Sequence, residues 1–386
     1  MEKNSEIYPF LEKGEFPDID STKLKIELTK NPKKKPEPDA MKFGINFTDH
    51  MLEVDWIKDQ GFSAPRILPY HNFQMDPATM VLHYSVEGFE GMKAYKDKNK
   101  NVRLFRPEQN MKRFLNTAKR LALPDFNPDE LLKCLEKLVL IDADWIPEKE
   151  DFSLYIRPTI IGTTPALGLR TPTSMKIYVI LSPVGPYFSA FKPLKLWAED
   201  EYCRAWVGGT GNAKLGGNYG PTLLPGMKAL EKGCEQILWL YGPEKKITEV
   251  GAMNLFGFWK NKDGEDELIT ASLDDGLILP GITRDSILTL ARGWGEFKVS
   301  EKDWNIEELM EAVKENRMYE MFGAGTAAIV SPINVINFHG QEYKIPLDPD
   351  DPNSGAGKIT KRIKKEIIGI QYGEIEHPWS VILKDK

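Results

Sequence analysis

The sequence predicts an α+β or α/β chain folded as two domains, and three observations carry that expectation. At 386 residues the chain exceeds the roughly 250 to 300 residues at which a single core stops growing. Short runs of branched and aromatic residues alternate with stretches of helical periodicity. Between Ser182 and Pro193 the composition turns to Pro183, Gly185, Pro186, Ser189 and Pro193, which breaks any regular element. The expected division is an N-terminal domain over 1–181, a linker over 182–193 and a C-terminal domain over 194–386.

Taken in order, residues 31–40 combine three prolines with a run of charge, so 1–40 is expected to be an exposed arm. Asn101 to Phe105 reads as a strand, and Pro107 suits the first turn of the helix that follows, where its missing amide has no partner to lose. That helix repeats apolar residues at Met111, Phe114, Leu115, Ala118 and Leu121, with Arg113, Asn116 and Arg120 on another face. A second helix is expected after Asn127 as cap and Pro128 as first residue. Ser153 to Arg157 and Met175 to Leu181 read as strands. Beyond the linker, Cys234 to Tyr241 and Ile247 to Phe256 read as two strands joined by the hairpin-like Gly242-Pro-Glu-Lys-Lys246. Helices are expected over 283–292 and near 306–315.

Composition excludes several classes. With 51 basic against 57 acidic residues there is no surplus of positive charge to track a nucleic-acid backbone. Cys134, Cys203 and Cys234 are scattered and odd in number, suggesting neither a disulfide framework nor a zinc site. The first twenty residues are acid-rich and no apolar run approaches the ~20 residues of a membrane span, so the expected location is cytoplasmic, with no membrane partner. The five histidines show no metal-ligand spacing, and no Gly-x-Ser-x-Gly elbow is present.

The densest special backbone is Gly208 to Gly220, with six glycines and a single lysine, Lys214, in thirteen residues. Such density marks a tightly folded loop. A lysine that forms a covalent bond to a carbonyl must reach its neutral form, which burial or a neighbouring cation promotes; a solvated loop lysine is the plain alternative. A pyridine cofactor would need a carboxylate beside its ring nitrogen. Glu249, in the apolar run Ile247-Thr-Glu-Val-Gly251, is suited to that, against the alternative of an outward-facing glutamate on a half-exposed strand. Two segments suit a phosphate. Pro280-Gly-Ile-Thr-Arg284 opens a helix whose first amides point outward, and Gly323-Ala-Gly-Thr-Ala-Ala328 is a small-residue loop. The latter matches Gly-x-Gly-x-x-Ala of dinucleotide-binding folds only superficially, because Ile329, Val330 and Pro332 oppose the long helix required. Gly355-Ala-Gly-Lys358 fails as a P-loop for want of Ser or Thr after the lysine.

Together these segments resemble the branched-chain-amino-acid aminotransferases of animals, from about Phe43 to Tyr372. The resemblance rests on Phe47-Thr-Asp-His-Met-Leu52, Phe89-Glu-Gly-Met-Lys-Ala94, Arg103-Leu-Phe-Arg-Pro107, Gly217-Asn-Tyr-Gly-Pro221, Thr248-Glu-Val-Gly251, Trp294-Gly-Glu-Phe297 and Gly325-Thr-Ala327. It implies the two-domain architecture of fold type IV pyridoxal 5'-phosphate enzymes, with a smaller N-terminal and a larger, cofactor-binding C-terminal domain, as a homodimer. The implied reaction is reversible transamination of leucine, isoleucine and valine with 2-oxoglutarate, giving 2-keto acids and glutamate. The near alternative is another fold type IV reaction, such as D-amino acid transamination.

By the same resemblance Lys214 would carry the cofactor and shuttle the proton between substrate Cα and the cofactor's C4′. Glu249 would pair with the ring nitrogen and Tyr219 with the ring oxygen. Arg113, with Ile282, Thr283 and Thr326, would hold the phosphate. Phe43, Tyr84, Phe89, Tyr155 and Tyr187 would enclose the apolar side chain, Arg157 would take glutamate's distal carboxylate, and Leu167 and Leu169 would reach the neighbouring subunit. Three departures stand out. Ala328 and Ser331 replace the Cys-x-x-Cys of mammalian members, so thiol regulation there is expected to be absent. Ala252 replaces a threonine beside the substrate carboxylate, leaving backbone at Ala327 to carry more of that contact. Pro225-Gly226 interrupts a helical stretch, predicting a late start or a kink.

Overall fold

The computed structural model describes residues 16–149, 151–186 and 192–384. Two compact units emerge: one comprises Met1–Gly185, Lys214–Gly216 and Trp379–Lys386, the other Pro186–Ala213 and Gly217–Pro378. This differs from the division expected from sequence at two places. Lys214–Gly216, inside the Gly-rich loop, and the C-terminal Trp379–Lys386 belong to the first unit rather than to a domain over 194–386. The units are also similar in length, not smaller and larger.

The first unit is built on a sheet of ten strands, almost wholly antiparallel. Its centre is the long pair Ser153–Gly162 and Ser174–Val184, flanked by His50–Ile57 on one side and Met92–Lys96 on the other. The helices Pro107–Arg120 and Pro128–Ile141 supply Met111, Phe114, Ala118, Leu131, Leu135 and Leu138 to its core. Both begin as expected: Pro107 and Pro128 occupy first turns, and the Asn127 side chain accepts from the amides of Asp129 and Glu130. Residues 1–15 of the expected exposed arm lie outside the described residues, and over 16–40 it is only partly exposed. Ile19 is buried in the core, the Ser21 amide donates to Glu130 at 2.8 Å, and Lys25–Ile26 pairs in parallel with Arg66–Ile67. Apolar burial at one residue and edge pairing at two suffice to tie the segment down.

At the C-terminal end of this unit, Ser380–Ile382 pairs with Arg103–Phe105 and the Arg106 guanidinium lies over the Trp379 ring. No sequence signal marked that return.

The second unit contains a nine-stranded sheet in which six strands close on themselves. The circuit runs Lys246–Val250, Gln236–Tyr241, Leu194–Glu199, Ile329–Phe338, Met318–Gly325 and Met253–Lys260, and pairing of the last with the first completes it. Leu196, Ala198, Leu238, Leu240, Leu255, Met321 and Ile333 belong to its core. The single strand expected over 247–256 is in fact two. Gly251 takes φ +55° and, with Ala252, turns the chain so that Glu249 faces Asn254; only a residue tolerant of positive φ permits that reversal.

The helix Leu223–Glu231 is not delayed by Pro225. The proline is its third residue, where no intrahelical acceptor exists for the missing amide. Thr326-Ala327-Ala328 form the turn between two antiparallel strands, so Gly-x-Gly-x-x-Ala opens a hairpin and not a nucleotide-binding helix. Among the described residues no helix is long and apolar enough to cross a membrane.

Candidate functional site

In the first unit the chemistry gathers on one face of the Pro107–Arg120 helix. Asn110, Arg113 and Thr117 recur at i, i+3 and i+7, and all three are buried. Sequence reasoning put Arg113 with Asn116 and Arg120; those two are exposed, whereas Arg113 points inward. The reason is Glu90, fully buried in the turn after the strand Glu87–Phe89. Its carboxylate accepts from Arg113 Nε at 2.7 Å and Nη2 at 2.9 Å, from Asn110 Nδ2 at 2.8 Å and from the Gly91 amide at 3.1 Å. Burial alone would raise this carboxyl, but Arg113 outweighs it, with Lys214 and Asn110 assisting, and holds Glu90 below the usual carboxylate range.

Lys214 belongs to the same unit. Its amide donates to Thr117 Oγ1 at 3.1 Å and its carbonyl accepts from the Phe89 amide at 3.0 Å. Its ammonium lies 4.6 Å from the Phe89 ring centroid. Over that same ring, 4.7 Å from the centroid, sits the Arg157 guanidinium. Arg157 donates to Tyr155 Oη at 3.2 Å, and its Nε is buried without a hydrogen-bond partner among the described residues. Phe43 meets Tyr155 edge to face at 4.8 Å. A side chain at Gly91 would collide with the Tyr155 hydroxyl, so that glycine makes room for the ring.

Beside this group, Glu87 is raised by burial and drawn back by Arg157. The structure thus brings together Lys214, Phe89, Arg157, Tyr155 and Phe43. Tyr84 stands apart on the short helix Met80–Tyr84 and donates to the Leu167 carbonyl. Leu167 and Leu169 are 66% and 76% exposed. Tyr187 lies outside the described residues.

In the second unit the corresponding centre is Glu249, only 2% exposed, which removes the reading of an outward-facing strand residue. Its Oε1 accepts from Asn254 Nδ2 at 3.1 Å and from the Leu279 amide at 2.9 Å. Its Oε2 pairs with Arg204 Nε at 2.8 Å, and Arg204 is itself nearly buried. Arg204 donates onward to the Leu277 carbonyl. The Gly-rich loop is folded by Asn218, whose amide donates to the carbonyls of Thr210 and Ala213 at 2.8 and 2.9 Å and whose Oδ1 accepts from the Thr210 hydroxyl at 2.6 Å. Tyr219 follows, its carbonyl accepting from the Thr222 amide. Ile282 and Thr283 open the helix Ile282–Trp294 after Gly281, where unpaired amides favour an anion. Thr326 and Ala327 lie in the half-buried hairpin turn.

Sequence reasoning missed Glu90, Asn110, Thr117, Arg204 and Asn254. The spacing of 110, 113 and 117 was available as a signal. Glu90 adjoins Phe89 in a motif already singled out, but which charge it meets depends on the fold.

The first unit thus holds a buried arginine paired with a buried carboxylate and a backbone-anchored lysine, and the second unit a buried, cation-paired carboxylate. Residues 87–336 match the amino-transferase class IV family, and the chain belongs to that family. It is 52% identical over 367 residues to the branched-chain-amino-acid aminotransferase of Dictyostelium discoideum, covering 95% of this chain and 96% of that protein. To the cytosolic enzyme of that name from Mus musculus it is 51% identical, with 91% and 90% covered. For the mitochondrial one from Bos taurus the figures are 50%, 92% and 90%. Among solved structures, the branched-chain amino acid aminotransferase of Escherichia coli superposes with a TM-score of 0.69 at 25% identity, covering 86% of this chain and 99% of that one. The T.th. enzyme of that name, with pyridoxamine 5'-phosphate, gives 0.66 at 25% identity over 86% and 98%.

Proposed function

We propose that this protein is a branched-chain-amino-acid aminotransferase. It moves the amino group reversibly between leucine, isoleucine or valine and 2-oxoglutarate, with pyridoxal 5'-phosphate as cofactor. The observation that carries this reading is the pair of cations on one aromatic floor: Lys214 and Arg157 over Phe89. An amine beside a carboxylate-binding guanidinium, walled by Phe43 and Tyr155, suits a reaction whose two substrates differ in having an apolar or an acidic side chain.

Donors suited to the cofactor are present in each unit. Arg113, a buried cation, and the first amides of the helix at Ile282 and Thr283, with Thr326, suit its phosphate. Glu249 suits its ring nitrogen and Tyr219 its ring oxygen. Bound there, pyridoxal phosphate supplies an electrophilic carbonyl for the substrate amine and an electron sink for the bond broken at Cα. Lys214 would hold the cofactor and, when its amine is free, would move the proton at the substrate's Cα. Glu249 would favour a proton on the ring nitrogen, and Arg204 and Asn254 hold Glu249 in place. Arg157 would receive the distal carboxylate of glutamate, while Phe43, Phe89 and Tyr155 would exclude water from an aliphatic side chain. The backbone at Ala327 receives the α-carboxylate.

The test is a keto acid product profile over a panel of L- and D-amino acids with 2-oxoglutarate. Leucine, isoleucine and valine should yield their 2-keto acids, and Lys214→Ala should abolish turnover. Turnover of D-amino acids alone, or full activity of Lys214→Ala, overturns the reading. A homodimer is part of the same proposal, supported by the exposed Leu167 and Leu169, and sedimentation velocity measures it. A cytoplasmic location is proposed from the free state of all three cysteines; relatives of near-equal identity are cytosolic and mitochondrial, and subcellular fractionation decides.

A further inference from the structure

A lysine side chain has several rotatable bonds, so where its amine can reach is decided first by where its backbone is held. Lys214 is held on both sides. Its carbonyl accepts from the Phe89 amide at 3.0 Å, and Leu215 bridges Gly88 in antiparallel fashion. The other tie is a side chain: Thr117 Oγ1 accepts from the Lys214 amide at 3.1 Å.

Thr117 is an unusual residue for its place. It lies inside the Pro107–Arg120 helix with no exposed surface, where a threonine is a poor helix former and a buried hydroxyl must find a partner. The neighbouring strand is fitted to it. A Cβ on Gly88 would stand 2.5 Å from Thr117 Cγ2, so Gly88 leaves the space that Thr117 fills. Thr117 also continues the buried polar face of Asn110 and Arg113, both of which donate to Glu90. One helix face therefore fixes the guanidinium of Arg113 at one end and the backbone of Lys214 at the other.

We propose that Thr117 is a positioning residue for Lys214, setting the backbone register from which the lysine amine meets the cofactor's carbonyl. This rests on the reading of Lys214 as the cofactor lysine. The amine and the aldehyde of pyridoxal phosphate condense with release of one water, whereas pyridoxamine phosphate shares the ring and phosphate but has no carbonyl to condense. Thr117 therefore acts on the binding of the first and not of the second.

The experiment compares the affinities of the apoenzyme for pyridoxal 5'-phosphate and pyridoxamine 5'-phosphate, measured by quenching of tryptophan fluorescence, in the wild type and in Thr117→Val, Thr117→Ser and Lys214→Ala. Thr117→Val keeps the shape and drops the acceptor. It should weaken the aldehyde form about tenfold, the scale of one lost hydrogen bond to a buried amide, and leave the amine form within about twofold. Thr117→Ser should restore the aldehyde form. Equal weakening of both forms by Thr117→Val, or no weakening of either, overturns the proposal. Lys214→Ala separates the two claims: it should abolish the preference for the aldehyde form, and if that preference survives, the reading of Lys214 fails. If the preference is lost in Lys214→Ala but intact in Thr117→Val, only the role of Thr117 fails. Should Thr117→Val not fold, Thr117→Ala, which places the best helix former at that position, takes its place under the same criteria.

Discussion

Glu90→Gln is the sharpest test of how the first unit is held together. The carboxylate is fully buried and takes four hydrogen bonds, two of them from Arg113, which is only 8% exposed. Glutamine keeps the shape but removes the charge, and its amide turns a donor toward donors. The arginine stays charged, so the variant removes the buried carboxylate that it pairs with, a loss of about 3 to 5 kcal/mol. In a urea titration followed by tryptophan fluorescence at neutral pH, this should move the midpoint of the first unit down by roughly 1 to 2 M.

Glu90→Leu combined with Arg113→Met removes both charges and should recover most of that loss, because a well-packed apolar pair commonly equals a buried ion pair in stability. Acid supplies a third check. The folded-state value of Glu90 is depressed, so its contribution is complete above the unfolded value of about 4.3 and is lost as pH falls through the lower folded value. The gap between wild type and Glu90→Gln should therefore narrow in that acid range. A single variant within about 0.5 kcal/mol of wild type, or a double variant as unstable as the single one, refutes the reasoning.

Other outcomes follow from the same geometry. Lys93 is buried and its ammonium is lowered to about 8 by that burial, against the opposing pull of Asp151. The unfolded chain thus binds more protons between about pH 8 and 10.4, and urea stability should rise with pH across that window in the wild type but not in Lys93→Met. Arg204→Gln should lower kcat for leucine at least tenfold, roughly the effect of taking a buried carboxylate's ion-pair partner away, while KM changes little; an unchanged kcat shows that Glu249 needs no such partner. Cys203 is the exposed thiol, and burial, with Glu130 and Asp20, pushes Cys134 up to about 12. Native protein should titrate one fast thiol per chain with a disulfide reagent, and diamide should leave activity unchanged; a second fast thiol contradicts this.

Local chemistry was legible wherever a few adjacent residues decide the outcome. Pro107 and Asn127-Pro128 open helices as read, since caps and first turns are satisfied within four residues. The Gly-rich loop around Lys214 and the burial pressure on Glu249 were also written locally. What sequence reasoning misplaced depended on partners distant along the chain. Arg113 was grouped with Asn116 and Arg120 on a face apart from the apolar residues because helical periodicity counts apolar residues, and a charge turns inward only where a carboxylate such as Glu90, 23 positions away, meets it. Gly251 split one expected strand into two because a positive φ reverses the chain whatever the propensity of its neighbours. Trp379–Ile382 joined the first unit because an open strand edge accepts any chain that can pair with it. The sequence by itself pointed to Lys214, Glu249 and Arg113 as candidates for the chemistry. The tertiary structure decided what holds them, because burial turns Glu90, Thr117 and Arg204 from ordinary polar residues into groups that must be paired, and the pairing fixes geometry.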